Sequence, residues 1–214
     1  MIRFITFEGG DGSGKSTQLK ALENHLCFRG KPVLSTREPG GTSRGRLIRQ
    51  ILLELTKNPI TAPTELFLYL ADRAQHMQEI IAPGMAQGKI VLCDRHADST
   101  LAYQGYGRGI DIALLRRLNE MATGGVKPDL TFLLDCPVKI GLSRTAARSV
   151  ASGAALKAED RFEREAIDFH ERVRAGFLEL ARAEPDRFRI VDASRPIPEI
   201  SREIKAIIDR ELTE

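Results

Sequence analysis

The chain has 214 residues, 42% hydrophobic and 29% charged, with a net charge of +3 and a pI near 8.8. These are the values of an ordinary soluble globular protein, long enough for a sizeable core in one domain spanning residues 1–214. No apolar run approaches the ~20 residues of a spanning helix, which argues against a membrane protein, and so mild a basic balance does not point to nucleic acid; anionic nucleotides held in one cleft would ask for the same charge.

Residues 3–7 read as a short buried strand that runs straight into Gly-Gly-Asp-Gly-Ser-Gly-Lys-Ser-Thr at 9–17. Gly9, Gly14, Lys15 and Ser16 fit the phosphate-binding loop pattern G-x-x-x-x-G-K-[ST]. A triphosphate needs many donors at close range, and backbone N–H groups curled into a nest supply them where side chains would block the approach. Gly9, Gly10, Asp11, Gly12, Ser13, Gly14, Lys15, Ser16 and Thr17 are therefore candidates for ATP binding. Lys15 is placed to reach the β- and γ-phosphates, and the Ser16 hydroxyl to sit on Mg²⁺. Residues 16–26 continue with Leu19, Leu22 and Leu26 at helical spacing, so the helix adds its positive N-terminal end to the site.

Further on, Gly30 ends that helix and residues 32–36 form a second strand. A loop at 37–42 precedes a helix over 43–55, with Leu47, Ile48, Ile51, Leu52 and Leu55 on one face. A connector at 57–63 leads to a long helix over 64–81, ended or kinked at Pro83-Gly84. Residues 89–93 form a third strand, 110–121 a helix stopped by Gly124-Gly125, 130–134 a fourth strand and 138–148 a helix. Residues 149–158 are small and weakly patterned and read as a mobile flap. A long charged helix over 162–183, a fifth strand at 188–191 and a closing helix at 197–212 complete the chain. Five alternations of strand and helix predict an α/β fold with an open parallel sheet flanked by helices. Ligands in such sheets bind beyond the carboxyl ends of the strands. That rule gathers residues 8–15, 37–42, 94–105 and 192–196 into one cleft.

Cys27, Cys93 and Cys136 are an odd number without metal-ligand spacing, and each sits among apolar residues. They read as small core residues in a reducing compartment. The chain enters its first strand without room for a signal peptide, so a cytoplasmic enzyme is expected. His25, His76, His96 and His170 are scattered without metal spacing and are read as non-catalytic.

Asp94 and Arg95 close the third strand. An Asp there can hold the hydration shell of Mg²⁺, and a guanidinium beside it can grip phosphate in bidentate fashion. A helix N-cap is the alternative for Asp94 and a surface ion pair for Arg95.

The phosphate loop with a carboxylate at Asp11, then Arg37-Glu-Pro-Gly-Gly-Thr42, Ala71-Asp-Arg-Ala-Gln-His76, Asp94-Arg95 with Ser99, Ala102-Tyr-Gln-Gly105 and Asp160-Arg-Phe-Glu163, in this order, resemble the bacterial thymidylate kinase family over nearly the whole chain. The resemblance implies a five-stranded P-loop NTPase fold with a short lid, at about 144–161, and transfer of the γ-phosphoryl of ATP to dTMP in dTTP synthesis. It also implies Mg²⁺ and a homodimer, with no nucleic-acid or membrane partner. For dTMP it implies Arg73 at the thymine edge, Tyr69 stacked on the base where Phe is usual, and Arg95 on the phosphate, helped by Arg49 with Arg37 a further candidate. Asp11 and Glu38 fall near the deoxyribose, Ser99, Thr100 and Gln104 in the pocket, and Tyr103 where a ribose 2′-OH would be crowded. Solvated or loop-pairing charges are the alternative for Asp11, Glu38, Arg49 and Arg37, and a core aromatic for Tyr69. Some members of the family carry an Arg in the phosphate loop where this chain has Gly12; others use basic lid residues. The resemblance places this chain in the second group, with Lys15, Arg95 and Arg148 catalytic and Arg144 on the adenine face. Two rivals stay open at this stage: a kinase for another nucleoside monophosphate or a deoxynucleoside, and a nucleotide-dependent switch, which would require an Asn-Lys-x-Asp motif that the chain lacks.

Overall fold

In a computed structural model the described residues are 2–54, 60–151 and 165–212. Strands β1 (Phe4–Glu8), β2 (Val33–Arg37), β3 (Ile90–Asp94), β4 (Leu130–Asp135) and β5 (Phe188–Asp192) form one parallel sheet in the order β2-β3-β1-β4-β5. β1 lies at the centre and is buried along its whole length, which is why it reads as an apolar run rather than an alternating one. The register sets Phe7 beside Asp94 on one side and Phe132 on the other, and Arg37 beside Asp94. Glu8, Arg37, Asp94 and Asp135 therefore emerge at the same edge of the sheet.

Both faces are covered. On one, α1 (Lys15–Phe28) and α9 (Ile197–Glu211) press Leu22, Leu26, Ile204 and Ile208 onto Ile5, Phe7 and Phe132. On the other, α3 (Ala62–His76), α6 (Ile112–Thr123) and α8 (Ile167–Ala183) bring Leu66, Leu70, Leu115, Phe169 and Phe177 to Leu133. Each fully buried side chain of this kind contributes about 1.5–3 kcal/mol through removal from water. α6 starts where the Asp111 carboxylate accepts the Leu114 N–H at 2.7 Å and stops at Gly124, whose φ is +61°. α2 (Ser43–Leu53) lies beside α3, and α7 (Val138–Ala151) follows β4.

The structure revises four expectations. The long helix after the connector does not end at Pro83-Gly84. It widens into a π turn over Met77–Ile81, where the Ala82 N–H reaches Met77 O, and resumes as α4 (Ala82–Ala86). Proline has no N–H and crowds the carbonyl four residues earlier, and the wider turn accommodates both defects. Residues 97–107, given no element from sequence, are helical: α5 (Ala97–Thr100) runs into a π-helical stretch over Leu101–Gly107, closed by the Arg108 N–H on Tyr103 O at 3.0 Å. Gly105 and Gly107 lower helix propensity enough to hide it. Cys27 is exposed, because Leu26 takes the inward position of α1 and the next residue is turned about 100° away from the sheet. The apolar face expected over α2 buries Leu52 but leaves Leu47 and Ile51 exposed.

Candidate active site

β1 hands the chain to the phosphate loop, and α1 begins at Lys15. Gly12 is glycine for two reasons. Its φ is +72°, and a Cβ there would lie 2.0 Å from the carbonyl oxygen of Gly141 in α7. Lys15 folds back over the loop, donating to Gly9 O at 3.1 Å, Gly10 O at 2.8 Å and the Ser13 hydroxyl at 3.4 Å. Burial, with the Arg95 cation beside it, pushes the Lys15 ammonium down to about 8. The Ser16 hydroxyl donates to Asp94 Oδ2 at 2.5 Å. Asp94 is thus no helix cap; it joins the end of β3 to the first turn of α1, and the N-cap position of α5 falls to His96, which makes no side-chain cap bond.

Arg95 follows with φ +70°, a left-handed conformation that costs a non-glycine residue about 1–2 kcal/mol. The turn aims its guidinium group back across the loop. That group donates to Gly9 O at 3.0 Å, Ser99 Oγ at 3.3 Å, Asp11 Oδ1 at 2.6 Å and the Tyr103 hydroxyl at 3.2 Å. Tyr103 in turn donates to Asp11 Oδ2 at 2.9 Å. Burial would raise the Asp11 carboxyl, but Arg95, Lys15 and the Tyr103 hydroxyl hold it below the usual range. The Ser99 hydroxyl donates to Glu8 Oε2 at 2.5 Å, and the His96 N–H to Glu8 Oε1 at 2.7 Å. Burial, reinforced by Asp98, pushes the Glu8 carboxyl well above the usual range, against the pull of the Ser99 hydroxyl and Arg95.

Behind this layer Arg73 is almost wholly buried. Nε donates to Glu38 Oε2 at 2.8 Å, Nη1 to Thr100 Oγ1 at 2.8 Å and Asn119 Oδ1 at 2.6 Å, and Nη2 to His96 O at 3.0 Å. A guanidinium has five N–H groups, so one on Nη2 is left for a ligand in the cavity that Arg73 lines. Glu38 also accepts from His76 Nδ1 at 2.9 Å. Burial opposes its charge, yet Arg73 and the rings of His96 and His76 hold the carboxyl down at about 2.

Two cavities meet here. One is lined by the phosphate loop, Lys15, Ser16, Thr17 and Asp94; the other by Tyr69, Arg73, Ser99, Thr100, Tyr103 and Gln104. Asp11, Glu38, Arg49, Arg95 and Arg148 border both. The family model described as thymidylate kinase matches residues 7–204. A thymidylate kinase of Desulfovibrio desulfuricans is 51% identical over 96% of this chain and 94% of its own length, and one of Solidesulfovibrio magneticus is 54% identical over 92% and 93%. The solved structure of thymidylate kinase from Ehrlichia chaffeensis superposes with a TM-score of 0.75 at 34% identity, covering 96% of this chain and 98% of that one. The chain belongs to the thymidylate kinase family.

Against the residues that the thymidylate kinase resemblance singled out, the structure brings most together. Asp11, Glu38, Arg49, Tyr69, Arg73, Arg95, Ser99, Thr100, Tyr103, Gln104 and Arg148 line one cavity. Tyr69 lines this cavity, is half-buried and packs against the core, so the core contact expected as its alternative role is present. Glu38 lines both cavities while accepting from Arg73 and His76. Arg144 lies apart, donating to Ala193 O at 2.8 Å and Ser194 O at 3.3 Å. Residues 192–196 accordingly sit to one side of the two cavities instead of lining them. Asp160-Arg-Phe-Glu163, and residues 152–161 of the expected lid, lie outside the described residues.

Sequence reasoning missed Glu65, His76, His96 and Asn119, and placed Glu8 in the cleft without a role of its own. His76 and His96 are not scattered: both rings face Glu38, at 2.9 Å and 3.5 Å. Glu8 carried the same signal as Asp94, an acid closing an apolar strand. Asn119 carried another, a polar residue one turn after Leu115 on the inward face of α6.

Proposed function

We propose that the joined cavities carry the γ-phosphoryl of ATP to dTMP, with the ATP tail on the phosphate loop and dTMP beneath Arg73 and beside Arg95. The observation that carries this assignment is the shared border: Asp11, Arg95 and Arg148 face both cavities, where donor and acceptor phosphates must meet. In-line displacement needs no covalent intermediate. The protein's work is to bring two anionic nucleotides together and hold them in line. Arg95 is held by four neighbouring groups at a fixed angle, so it need not reorganise during the transfer.

The Ser16 hydroxyl and the Asp94 carboxylate are hard oxygen donors set side by side, which fits Mg²⁺. Mg²⁺ takes one or two protein ligands alongside phosphates and water, consistent with there being no cluster of three His, Cys, Asp or Glu side chains among the described residues. When bound, it supplies neutralising charge to the ATP tail.

Exposed Leu47, Ile51, Phe67 and Met121 lie on α2, α3 and α6, which pack side by side. Such an apolar surface supports the homodimer expected for the family. Among the described residues no helix is long and apolar enough to cross a membrane. From family membership we propose further a cytoplasmic protein of one domain, with a lid near 144–161 and small-molecule nucleotides rather than nucleic acid as partners.

Base choice tests the acceptor assignment. Thymine offers a carbonyl at the position where cytosine carries an amino donor, and two facing donors would leave a buried N–H of Arg73 unpaired. Arg73→Gln is expected to narrow the dTMP/dCMP ratio of kcat/KM by about tenfold or more. An unchanged ratio in a folded variant removes Arg73 from the base pocket.

A further inference from the structure

We infer that Glu65 is a positioning residue that sets base choice by fixing which way the Gln104 amide faces; this rests on the acceptor-site reading above. Gln104 lines the acceptor cavity from the π-helical stretch, while Glu65 sits in the first turn of α3 behind it. Each is 1% exposed. Gln104 Nε2 donates to Glu65 Oε1 at 2.7 Å. A carboxylate oxygen accepts and cannot donate, so it pairs with the amide NH₂ and repels the amide oxygen. The amide is thereby held in one of its two orientations, with NH₂ toward α3. Gln104 Oε1 makes no hydrogen bond to a described residue and is left for the cavity.

The charge that burial of a carboxylate demands comes from Arg108. Its Nη2 lies 3.4 Å from Glu65 Oε2, and its guanidinium stacks 4.6 Å from the Phe169 ring centre. The same Nη2 reaches Glu165 Oε1 at 2.7 Å. Glu65 is thus fixed by a cation that is itself clamped from two sides.

The consequence is a matched pair on the cavity wall. Arg73 offers an N–H and Gln104 offers an oxygen. Thymine carries a carbonyl at C4 and an N–H at N3, the complement of that pair. Cytosine carries an amino group at C4 and a bare nitrogen at N3, and meets donor with donor and acceptor with acceptor. Were the amide free to flip, Gln104 could serve either base, and discrimination would fall to Arg73 alone.

The test is steady-state kinetics of full-length Glu65→Gln on dTMP and dCMP, with Arg73→Gln in parallel. A neutral amide at 65 accepts or donates, so it releases the orientation of Gln104 with little change in volume. The dTMP/dCMP ratio of kcat/KM is expected to fall about tenfold or more, through a higher KM for dTMP, with kcat for saturating dTMP within about threefold of the native value. A purely structural role for Glu65 would lower both substrates together and leave the ratio alone. An unchanged ratio in Glu65→Gln beside a narrowed one in Arg73→Gln overturns this inference and leaves the acceptor site standing. Unchanged ratios in both overturn the acceptor-site reading as well. Should Glu65→Gln fail to fold, hydrogen exchange of the Gln104 side-chain amide in the native chain decides the matter. Protection with and without dTMP is expected, and free exchange in both states overturns the inference.

Discussion

Lys15→Met is expected to lower kcat by about 10²-fold or more, the scale of losing one preorganised electrostatic donor. In the free protein the ammonium rests on Gly9 O, Gly10 O and the Ser13 hydroxyl, partners that a phosphate tail replaces with stronger, charged ones. As the β–γ bridge takes on charge during transfer, the ammonium interacts more strongly than in the ground state, and so acts on kcat. Met keeps the buried aliphatic stem, so the fold should survive. Near-native turnover in a folded Lys15→Met chain would sink the phosphate-loop assignment. The same ammonium gives a pH signature. Burial and Arg95 hold it at about 8 in the free protein, and phosphate oxygens raise it again in the complex. Above pH 8 the free protein has therefore lost a proton that the complex retains. ATP binding should take up a proton there, and affinity should fall as pH rises. Calorimetry in two buffers of different ionisation enthalpy measures the uptake; native protein should show it between pH 8 and 9, and Lys15→Met should not.

Arg148→Ala is expected to cut kcat by about 10³-fold, the lower end of what an arginine contributes to transition-state charge in phosphoryl transfer, with the KM for dTMP little changed. Some related phosphate loops supply this cation themselves. Here the loop cannot: the close approach of Gly12 to Gly141 leaves no space for any side chain. Arg148 extends from the last turn of α7 and borders both cavities, which places it over the junction where phosphoryl transfer would occur. Arg144, one turn earlier and fastened to the carbonyls of 193 and 194, should instead raise the KM for ATP when replaced by Ala. A native kcat in Arg148→Ala, with the loss appearing in Lys157→Ala or Arg161→Ala, would move the donor to residues outside those described.

The sheet was legible because its three inner strands, β1, β3 and β4, are short, largely apolar runs closed by an acidic residue, and an inner parallel strand has no solvent face to break the pattern. The phosphate loop was legible because its chemistry demands glycine and lysine at fixed spacing. The acceptor site was legible residue by residue through resemblance, but its wiring was not. That Arg73 spends four N–H groups on Glu38, Thr100, Asn119 and His96 is a property of side chains converging from separate elements. No periodicity in a single segment carries it. The helical stretch over 97–107 was hidden by its glycines, and that omission concealed the reason Thr100, Tyr103 and Gln104 share a wall. At spacings of three and four residues along a helix these three fall on the same face. The position of Cys27 failed for a simpler reason: apolar neighbours in sequence point to different sides of a helix.

Whether one cleft joins ATP to a thymine nucleotide is decided by ADP release from ATP and Mg²⁺ with dTMP, dUMP, dCMP and thymidine offered in turn. Release is expected to be fast with dTMP and much slower with dCMP, which mismatches Arg73 and Gln104. It is also expected to be slow with thymidine, which brings no phosphate for Arg95. ADP release at the same rate whatever the acceptor, or with none, would contradict a joined cleft.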